Sequence, residues 1–452
     1  MFDLIVVGGG PGGYEAAAHA GKLGMSVALV EKKRLGGTCL NVGCIPAKTF
    51  LHTAKLVRDA REGAAYGVQV GTPTVDQPTL VARKNRIVDT LVNGVGQLMD
   101  ANKVQVVQGE GRLVARDTVE VRTGEGTERL QAANVMIATG SKVAKPPIPG
   151  LDSPAVLDSD SVFDLPELPA SVAIIGGGVI GLEFASFFND VGVQVTVLEM
   201  LPSIGAGADD DVSRRLLKAL QSAGITFHLS AKVTEVGPDG VRFTDAKGTE
   251  QVVVAERVMN AAGRVPAVAG LGLEELGVEV RRGVVTTPEG RTNVPGIWAI
   301  GDANGRMMLA HVATREGIVA VNTIAGRPDR MRYDAMPGVI YTSPEASWVG
   351  PTEAQLKQAG VAYRKAQVPA GVSGRFLIEN EHGSGFAKVL VDARYGRLLG
   401  AHVLGDVSSE FIVAAAAMIE TELTAEAAME VVFPHPTVSE VLREALVRVA
   451  HV

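Results

Sequence analysis

The pattern of hydrophobic and polar residues begins with an apolar run, Leu4–Val7, followed by the glycine-rich segment Gly8–Gly13. An alanine-rich stretch comes next, and then a second apolar run, Val27–Val30, that ends at Glu31. Short uninterrupted apolar runs are typical of strands buried on both faces of a parallel sheet. The pattern therefore predicts a strand, a tight turn, a helix and a second strand.

The same pattern occurs a second time along the chain. The run Val172–Ile175 leads into Gly176–Gly181, a helical stretch follows, and Val195–Leu198 ends at Glu199. In both copies the acid follows the last glycine by 18 positions, from 13 to 31 and from 181 to 199. A single G-x-G-x-x-G motif is weak evidence, but two copies in the same context are strong evidence for dinucleotide binding.

Each residue type in these motifs has a physical role. The first glycine permits the turn, the second lets a pyrophosphate approach the helix N-terminus, and the third lets helix and strand pack closely. The acid accepts hydrogen bonds from ribose hydroxyls, and Glu199 would repel a 2′-phosphate, which favours NAD over NADP. Glycine-rich turns without a nucleotide would leave the paired acids unexplained. The predicted binding residues are Gly8, Gly10, Gly13 and Glu31 in the first copy, and Gly176, Gly178, Gly181 and Glu199 in the second.

The rest of the chain adds a third kind of unit. The segment Asn293–Asp302 contains an apolar strand that ends in an acid, where α/β sheets bind ligands. Asp302 is thus a candidate for binding a polyol chain, and the alternative is a helix cap. The last ~120 residues, about one domain in length, lack a glycine motif but contain an antiparallel-looking strand, Phe386–Val391, and a helix, Phe411–Glu420.

Composition narrows the class of protein. A length of 452 residues suggests about three domains. Apolar residues make up 46% and charged residues 21%, which is ordinary for a globular protein. The net charge of −7, without a basic tract, argues against nucleic-acid or anionic-membrane binding. No apolar run approaches the ~20 residues of a membrane span, and the N-terminus has no secretory pattern, so a cytoplasmic location is expected.

The only two cysteines, Cys39 and Cys44, are five positions apart. In a regular helix such positions are about 8–9 Å apart, whereas a disulfide tolerates Cα separations only to roughly 7 Å. Gly43, which can adopt a positive φ, and Pro46 make a helix distortion easy there. A bond formed under such constraint is easily reduced, which indicates an exchangeable dithiol/disulfide.

The cysteine pair could also serve a role without redox chemistry. A structural bridge over so short a loop would stabilise little, and zinc would need further ligands. Two unrelated buried thiols remain an open alternative.

A second candidate constellation lies near the C-terminus. His435 and Glu440 are five positions apart, and a carboxylate that orients an imidazole makes a general base. The flanking prolines stiffen this segment. The alternative is a surface histidine whose hydrogen bonds are satisfied.

Together these segments resemble the pyridine nucleotide–disulfide oxidoreductase family, most closely its dihydrolipoamide dehydrogenase branch, from Val6 to Glu440. Gly36–Lys48 is similar to the family's redox-active motif, with Ala47 where serine is more usual. Met136–Gly140 resembles its A-T-G segment, and His435–Glu440 its base motif. Phe433 stands where many members carry another histidine.

The resemblance implies two Rossmann-like dinucleotide-binding domains and a C-terminal α+β dimerisation domain. The implied bounds are 1–145 for FAD binding, 146–268 for NAD binding, 269–333 for a central domain that completes the FAD site, and 334–452 for the interface. It implies catalysis by Cys39, Cys44, His435 and Glu440, with a Lys48–Glu183 pair. Further implied contacts to FAD are Thr38, Lys48, Gly111, Thr139, Gly140, Gly301, Asp302 and Ala310. Further implied contacts to NAD are Glu183 and Gly263.

The resemblance also implies a function. The enzyme would oxidise protein-bound dihydrolipoamide with NAD⁺, through a homodimer in which His435 serves the other subunit's disulfide. Lipoyl domains and the core of a 2-oxo acid dehydrogenase complex would be its partners, with no nucleic acid, membrane or metal. NADPH-dependent relatives should carry basic residues after Glu199, and mercuric reductases an extra cysteine pair; neither occurs. Another NADH-dependent disulfide reductase, or a peripheral binding subunit, remains the alternative.

Overall fold

The computed structural model describes residues 1–381 and 383–451. His382 and Val452, both in the predicted C-terminal domain, lie outside the described residues. The helices are α1 (Pro11–Lys22), α2 (Gly37–Val42), α3 (Cys44–Glu62), α4 (Gln77–Ala101), α5 (Val179–Asp190), α6 (Asp210–Ser222), α7 (Ala310–Ile324), α8 (Glu353–Gln358), α9 (Gly374–Glu379), α10 (Ser408–Glu420), α11 (Ala425–Met429) and α12 (Glu440–Ala450).

The strands of the first half are β1 (Phe2–Val7), β2 (Val27–Glu31), β3 (Gln105–Gln108), β4 (Glu110–Ala115), β5 (Thr118–Arg122), β6 (Thr127–Ile137), β7 (Ser141–Val143), β8 (Val156–Asp158), β9 (Ser171–Ile175), β10 (Gln194–Glu199) and β11 (Thr226–Leu229). Those of the second half are β12 (Lys232–Gly237), β13 (Gly240–Thr244), β14 (Glu250–Val253), β15 (Arg257–Asn260), β16 (Arg264–Pro266), β17 (Ile297–Ala299), β18 (Gly338–Ile340), β19 (Ala346–Val349), β20 (Tyr363–Pro369), β21 (Phe386–Asp392) and β22 (Leu398–Leu404).

The first sheet has the strand order β3-β2-β1-β6-β5-β4, with β17 paired to β6. The β1, β2, β3 and β17 pairings are parallel, while β4, β5 and the start of β6 form an antiparallel meander. Every residue of β2 is buried, as expected for a central parallel strand. Because β17 joins this sheet and α7 packs on α1, the chain returns to its first unit after building the second.

The second sheet repeats the arrangement in the order β11-β10-β9-β15-β8, with every pairing parallel. An antiparallel sheet, β12-β13-β14, is inserted after β11. The short antiparallel pair of β7 and β16 connects the two units. The predicted duplication of the strand–turn–helix unit is therefore confirmed.

The third unit is an antiparallel sheet in the order β18-β19-β22-β21-β20. Helices α10, α11 and α12 share a buried apolar core with it. The predicted α/β class, with two Rossmann-like units and a C-terminal α+β unit, is confirmed. None of the helices in residues 1–381 and 383–451 combines the length and apolar character that crossing a membrane requires.

A junction between α3 and α5 joins the first two units. The ring of Phe50 on α3 lies 5.3 Å from that of Phe163 and 5.1 Å from that of Phe187 on α5, between ring centroids. Further along, the Arg58 guanidinium donates to the Asp190 carboxylate at 2.8 Å. Since aromatic pairs of this kind add to the energy of burial, the helix that begins at Cys44 is held firmly against the helix of the second glycine motif.

Candidate active site

The backbone between the two cysteines is interrupted at Gly43. Helix α2 ends at Val42 and α3 begins at Cys44, and Gly43 has φ −142° and ψ −114°. A Cβ on Gly43 would lie 2.8 Å from the carbonyl oxygen of Thr38, a contact that forces something to shift. The predicted interruption is confirmed, and glycine is needed there for the close approach to Thr38.

The two cysteines lie in contact although both are free thiols. Their side chains are within hydrogen-bonding reach, which two unrelated buried thiols would not be. The hydrogen bond from Cys39, together with the nearby Lys48 ammonium, lowers the pKa of Cys44 to about 7 despite its desolvation. The same hydrogen bond and burial raise the pKa of Cys39. When the pair loses one proton, the negative charge is therefore on Cys44 and the remaining proton is on Cys39.

Lys48 and Glu183 form the predicted ion pair. The Lys48 Nζ donates to both carboxylate oxygens of Glu183, at 2.9 and 2.8 Å. Lys48 lies one helical turn beyond Cys44 on α3, and Glu183 is on the first turns of α5. The Nζ also lies 4.2 Å from the ring centroid of Tyr341, which sequence analysis did not single out.

The first glycine-rich turn joins β1 to α1. Gly8 has φ +110°, and a Cβ there would lie 2.3 Å from the carbonyl oxygen of Ala138. A Cβ on Gly13 would lie 1.8 Å from the carbonyl oxygen of Gly8, so helix and strand touch through it. A Cβ on Gly10 would meet nothing closer than 3.8 Å. The first and third glycines are thus required by the chain itself, whereas the second leaves a space that a ligand can approach.

The second turn repeats these contacts at equivalent positions. Gly176 has φ +113°, and its Cβ would lie 2.4 Å from the carbonyl oxygen of Ala261. A Cβ on Gly181 would lie 2.0 Å from the carbonyl oxygen of Gly176, and one on Gly178 would meet no atom within 4 Å. The duplication seen in the sequence is therefore also a duplication of backbone geometry.

The two predicted acids hold these turns. The Glu31 carboxylate accepts the N–H groups of Gly9 and Lys33, both at 2.7 Å. The Glu199 carboxylate accepts the N–H groups of Gly177 at 2.5 Å and Leu201 at 2.7 Å. Because an ionised carboxylate offers about four acceptor positions, each acid retains capacity for ribose hydroxyls while it fixes its turn.

Other predicted FAD residues surround the edge of the first sheet. The Thr139 hydroxyl is buried without a hydrogen-bond partner in the described part of the chain, and Gly140 after it has φ +70°. The Asp302 carboxylate accepts the Ser141 hydroxyl at 2.5 Å, and burial raises its pKa. A buried polar atom without a partner usually meets a ligand or water. The unpartnered hydroxyl and the open turn at Gly10 both fit a bound FAD.

The remaining predicted residues have different surroundings. Ala310 is the first residue of α7, and Gly301 opens the turn that contains Asp302. Gly263 follows β15 with φ +109° and open space around its Cα. Gly111 lies on β4, where a Cβ would press on Val7 and Val30 at 3.2 Å. Packing inside the sheet thus also favours a glycine at this position.

Two charged residues that the sequence did not identify support this region. The Arg264 guanidinium donates to the Ser141 hydroxyl at 2.9 Å and to Asp160 at 3.1 Å, with a long contact to Thr38 at 3.4 Å. The buried Glu316 carboxylate on α7 accepts the Gly301 N–H at 2.5 Å. A carboxylate on the buried face of an apolar helix was the available signal for Glu316, and the Gly-Arg dipeptide after a strand was the signal for Arg264.

His435 and Glu440 form the predicted pair at the start of α12. His435 Nδ1 lies 2.9 Å from Glu440 Oε1, and Glu440 Oε2 accepts the Thr437 N–H at 3.0 Å. These two hydrogen bonds lower the pKa of Glu440. The His435 side chain is 78% exposed. Within the described residues it makes no hydrogen bond or ion pair with either cysteine, so the chain presents its base and its thiols separately.

Two family models match the chain. The model for pyridine nucleotide-disulphide oxidoreductases matches residues 2–317. The model for the dimerisation domain of the same family matches residues 336–446.

Curated relatives match over nearly the whole length. The chain is 41% identical over 460 residues to dihydrolipoyl dehydrogenase 3 of Pseudomonas putida, covering 99% of this chain and 98% of that protein. It is 37% identical to leghemoglobin reductase of Vigna unguiculata, and that match covers 98% of this chain and 86% of the relative.

Solved structures show the same architecture. LpdA from Mycobacterium tuberculosis superimposes with a TM-score of 0.90 at 26% identity, over 98% of this chain and 99% of that chain. The HOCl-induced flavoprotein disulfide reductase RclA from Escherichia coli superimposes with a TM-score of 0.86 at 27% identity, over 98% of this chain and 99% of that chain.

Proposed function

The chain belongs to the pyridine nucleotide-disulphide oxidoreductase family, and on that premise we propose that it oxidises protein-bound dihydrolipoamide to lipoamide with NAD⁺ as acceptor. Enzymes of this family use FAD and a pyridine nucleotide, and this chain is a flavin disulfide oxidoreductase. The dithiol substrate and the choice of NAD⁺ are the proposed parts. The similarity to dihydrolipoyl dehydrogenases at about 40% identity over the full length supports the substrate.

One observation carries the chemistry: two thiols lie in contact beside the Lys48 ammonium, which Glu183 holds in place, and this arrangement lowers the pKa of Cys44 and raises that of Cys39. In thiol–disulfide exchange the leaving sulfur departs more readily when its thiol pKa is low. Cys44 is that sulfur, and Cys39 is therefore the one that a substrate thiolate attacks.

The exchange steps follow from this assignment. His435, held by Glu440, takes a proton from one thiol of the substrate, because the thiolate is the nucleophile. The thiolate attacks Cys39 Sγ of the oxidised pair, the Cys39–Cys44 bond breaks, and Cys44 leaves as a thiolate. The second substrate thiol then loses its proton and attacks the substrate sulfur of the mixed disulfide. Lipoamide is released, and Cys39 is left to be reprotonated.

A bound FAD would supply the two-electron chemistry that links the reduced cysteine pair to NAD⁺. We assign its binding to the turn at Gly8, Gly10 and Gly13, to Glu31, and to Thr38, Gly111, Thr139, Gly140, Gly301, Asp302 and Ala310. Lys48 would keep positive charge beside the flavin and Cys44. We assign NAD⁺ to Gly176, Gly178, Gly181, Glu183, Glu199 and Gly263. Glu199, with Leu201 and Pro202 after it instead of basic residues, favours NAD⁺ over NADP⁺.

We further propose that the working unit is a homodimer with shared sites. The C-terminal match to a dimerisation domain supports the dimer. The His435 side chain is exposed, is held by Glu440 and makes no hydrogen bond to either cysteine within the described residues, which supports a base that acts on the disulfide of the partner subunit. Lipoyl domains and the core of a 2-oxo acid dehydrogenase complex are the proposed partners, because this chain carries no lipoyl-bearing linker of its own.

Steady-state kinetics test the proposal. The purified FAD-loaded protein should reduce NAD⁺ with dihydrolipoamide, and its kcat/KM for NAD⁺ should exceed that for NADP⁺. If glutathione disulfide with NADPH were turned over faster than lipoamide with NADH, the substrate and the acceptor proposed here would both be wrong.

Another NADH-dependent disulfide reductase is the second candidate. The close superposition on RclA, described as a flavoprotein disulfide reductase, favours it. In that case NADH should reduce another disulfide with a higher kcat/KM than lipoamide.

A further inference from the structure

The Lys48 ammonium is enclosed by groups from two other parts of the fold. Glu183 on α5 contacts it through both carboxylate oxygens, at 2.9 and 2.8 Å. The ring of Tyr341 faces it at 4.2 Å from the centroid. Tyr341 follows β18, a strand of the C-terminal sheet. Three units of the fold therefore meet at one ion pair.

Tyr341 touches both members of that pair. Its ring faces Lys48, and its backbone N–H donates to Glu183 Oε1 at 3.2 Å. The residue before it, Ile340, is fully buried in the apolar core around α5. The position of Tyr341 is thus fixed by packing, and both of its contacts are directed at groups that the oxidoreductase reaction needs.

We propose that Tyr341 is a positioning residue that keeps Lys48 between Glu183 and Cys44, through its ring face and its backbone N–H. This proposal rests on the proposed function, because it takes Cys44 as the thiol that leaves in the exchange. Tyr341 does not itself contact a reacting atom in this assignment.

The physical need for such a residue comes from lysine itself. A lysine side chain is a flexible stem with a strongly hydrated charge, and that of Lys48 is 35% exposed. The Glu183 carboxylate attracts it but leaves the side of the ammonium away from the acid unrestrained. An aromatic face attracts a cation within about 6 Å, and the Tyr341 ring at 4.2 Å therefore adds a second restraint on the ammonium. Lys48 then remains near Cys44, one turn earlier on the same face of α3.

The ring, and not the hydroxyl, carries this role. Burial and the negative charges of Glu183, Glu345 and Glu410 raise the pKa of Tyr341 to about 12, so the ring stays neutral. Its hydroxyl makes no hydrogen bond within residues 1–381 and 383–451. Phenylalanine should therefore replace Tyr341 without loss, whereas leucine should not.

The test follows the reactivity of Cys44. Titratable groups that face Cys44 are Cys39, Lys48, Glu183, Tyr341 and Tyr14. All variants are made in a Cys39→Ser background, so that only Cys44 reacts with iodoacetamide, and the alkylation rate is measured against pH. Tyr341→Leu should raise the midpoint by about half a pH unit, since Lys48 becomes free to move away. Tyr341→Phe should leave the midpoint unchanged.

A double-mutant cycle separates positioning from a general loss of structure. Lys48→Met should raise the midpoint further than Tyr341→Leu does, and adding Tyr341→Leu to Lys48→Met should have no additional effect. Tyr363→Leu, at a half-buried tyrosine on β20, is the matched control and should not shift the midpoint. FAD content, measured by absorbance after heat release, reports whether each variant is folded.

Three outcomes would overturn the proposal, and the first two are an unshifted midpoint in Tyr341→Leu and a shift that persists in full when Lys48 is already methionine. A shift in Tyr341→Phe equal to that in Tyr341→Leu would assign the role to the hydroxyl and also contradict it. The alkylation profile needs neither NAD⁺ nor dihydrolipoamide. Failure of the proposed substrate would therefore appear in the kinetics alone, without changing this result.

Discussion

Glu440 prepares His435 for proton transfer by holding one ring nitrogen. The carboxylate accepts at Nδ1, which leaves Nε2 as the free nitrogen, and the Thr437 N–H fixes the carboxylate in turn. Such a partner also stabilises the imidazolium that forms when the ring takes a proton. The residue pair is therefore complete as a base, although the thiols it is proposed to serve belong to another copy of the chain.

We expect His435→Gln to lower kcat for dihydrolipoamide oxidation by about 10²–10⁴-fold, the usual contribution of a general base. NADH oxidation by a one-electron dye should be unchanged, since it needs no substrate thiolate. His451→Gln, at an exposed histidine after α12, is the matched control. Equal loss of both activities would mean that the substitution damages the fold instead.

Hybrid dimers extend this test to the shared site. Co-expressed Cys44→Ser and His435→Gln chains should recover about a quarter of the sites, because half of the dimers are mixed and each has one intact site. No recovery would place the base and the thiols in the same chain.

At the scale of elements, the two strand–turn–helix units use glycine for the same steric reason. A Cβ on Gly13 or Gly181 would lie 1.8 or 2.0 Å from a carbonyl oxygen of its own turn. Backbone atoms at this separation cannot adjust as a flexible side chain can, so the helix must move away from the strand. Movement would displace the helix N-terminus, where the pyrophosphate is expected to bind.

Gly181→Ala should therefore weaken NADH binding by at least tenfold while FAD remains bound, since only the second turn is altered. NADH affinity is measured by the quenching of protein fluorescence, and FAD content by absorbance. Gly94→Ala on α4, where a Cβ would meet nothing within 4 Å, is the control and should stabilise the helix by about 0.5–1 kcal/mol. Normal NADH binding in Gly181→Ala would refute the steric argument.

The sequence predicts these elements well because their cause is local. The glycines, the preceding apolar runs and the acids are close together in the chain, so periodicity and spacing identify the turns. The interruption at Gly43 is predicted on the same basis, although the close approach to Thr38 that requires a glycine there is seen only in the structure. The Lys48–Glu183 pair follows only from the resemblance to a family.

What the sequence does not predict depends on contacts between distant segments. Tyr341 and Glu183 are 158 positions apart, and Arg264 and Thr38 are 226 apart. No local pattern marks either contact, since each side chain gains its partner only when separate units pack together. The proposed domain bounds and the assignment of individual nucleotide contacts remain predictions for the same reason.

At the scale of the whole molecule, a buried ionic cluster joins the second unit to the C-terminal sheet. Lys388 on β21 is 2% exposed and lies 2.5 Å from Asp209, which is 1% exposed and caps α6. Its Nζ also contacts Asp211 at 2.9 Å and Glu353 at 3.2 Å. His402 nearby is fully buried, and burial lowers its pKa to about 4, so it adds no charge at neutral pH.

Lys388→Met should destabilise the protein by about 3–5 kcal/mol, because it leaves the buried Asp209 charge without its partner. Thermal melting of the FAD-loaded protein measures the loss. Lys365→Met is the matched control: Lys365 pairs with the same Glu353 but is half exposed. Its removal should cost no more than about 1 kcal/mol, and equal effects of the two substitutions would show that burial does not decide the contribution.

The pH dependence of the stability loss in Lys388→Met identifies the cause of that loss. Burial favours the protonated form of Asp209, but the hydrogen bond from Lys388, the hydrogen bond from the Glu353 N–H and the nearby Lys388 charge together outweigh it and hold the pKa below the usual value. Its contribution to stability is therefore present above about pH 4 and is lost as the pH falls through the lowered pKa. Without Lys388 only burial and backbone hydrogen bonds act on the carboxyl, and its pKa rises. The difference in the free energy of unfolding between the parent and the Lys388→Met protein should then become smaller as the pH is lowered from 7 toward 5. If that difference stays constant over this pH range, the stability loss comes from lost packing and not from an unpaired charge.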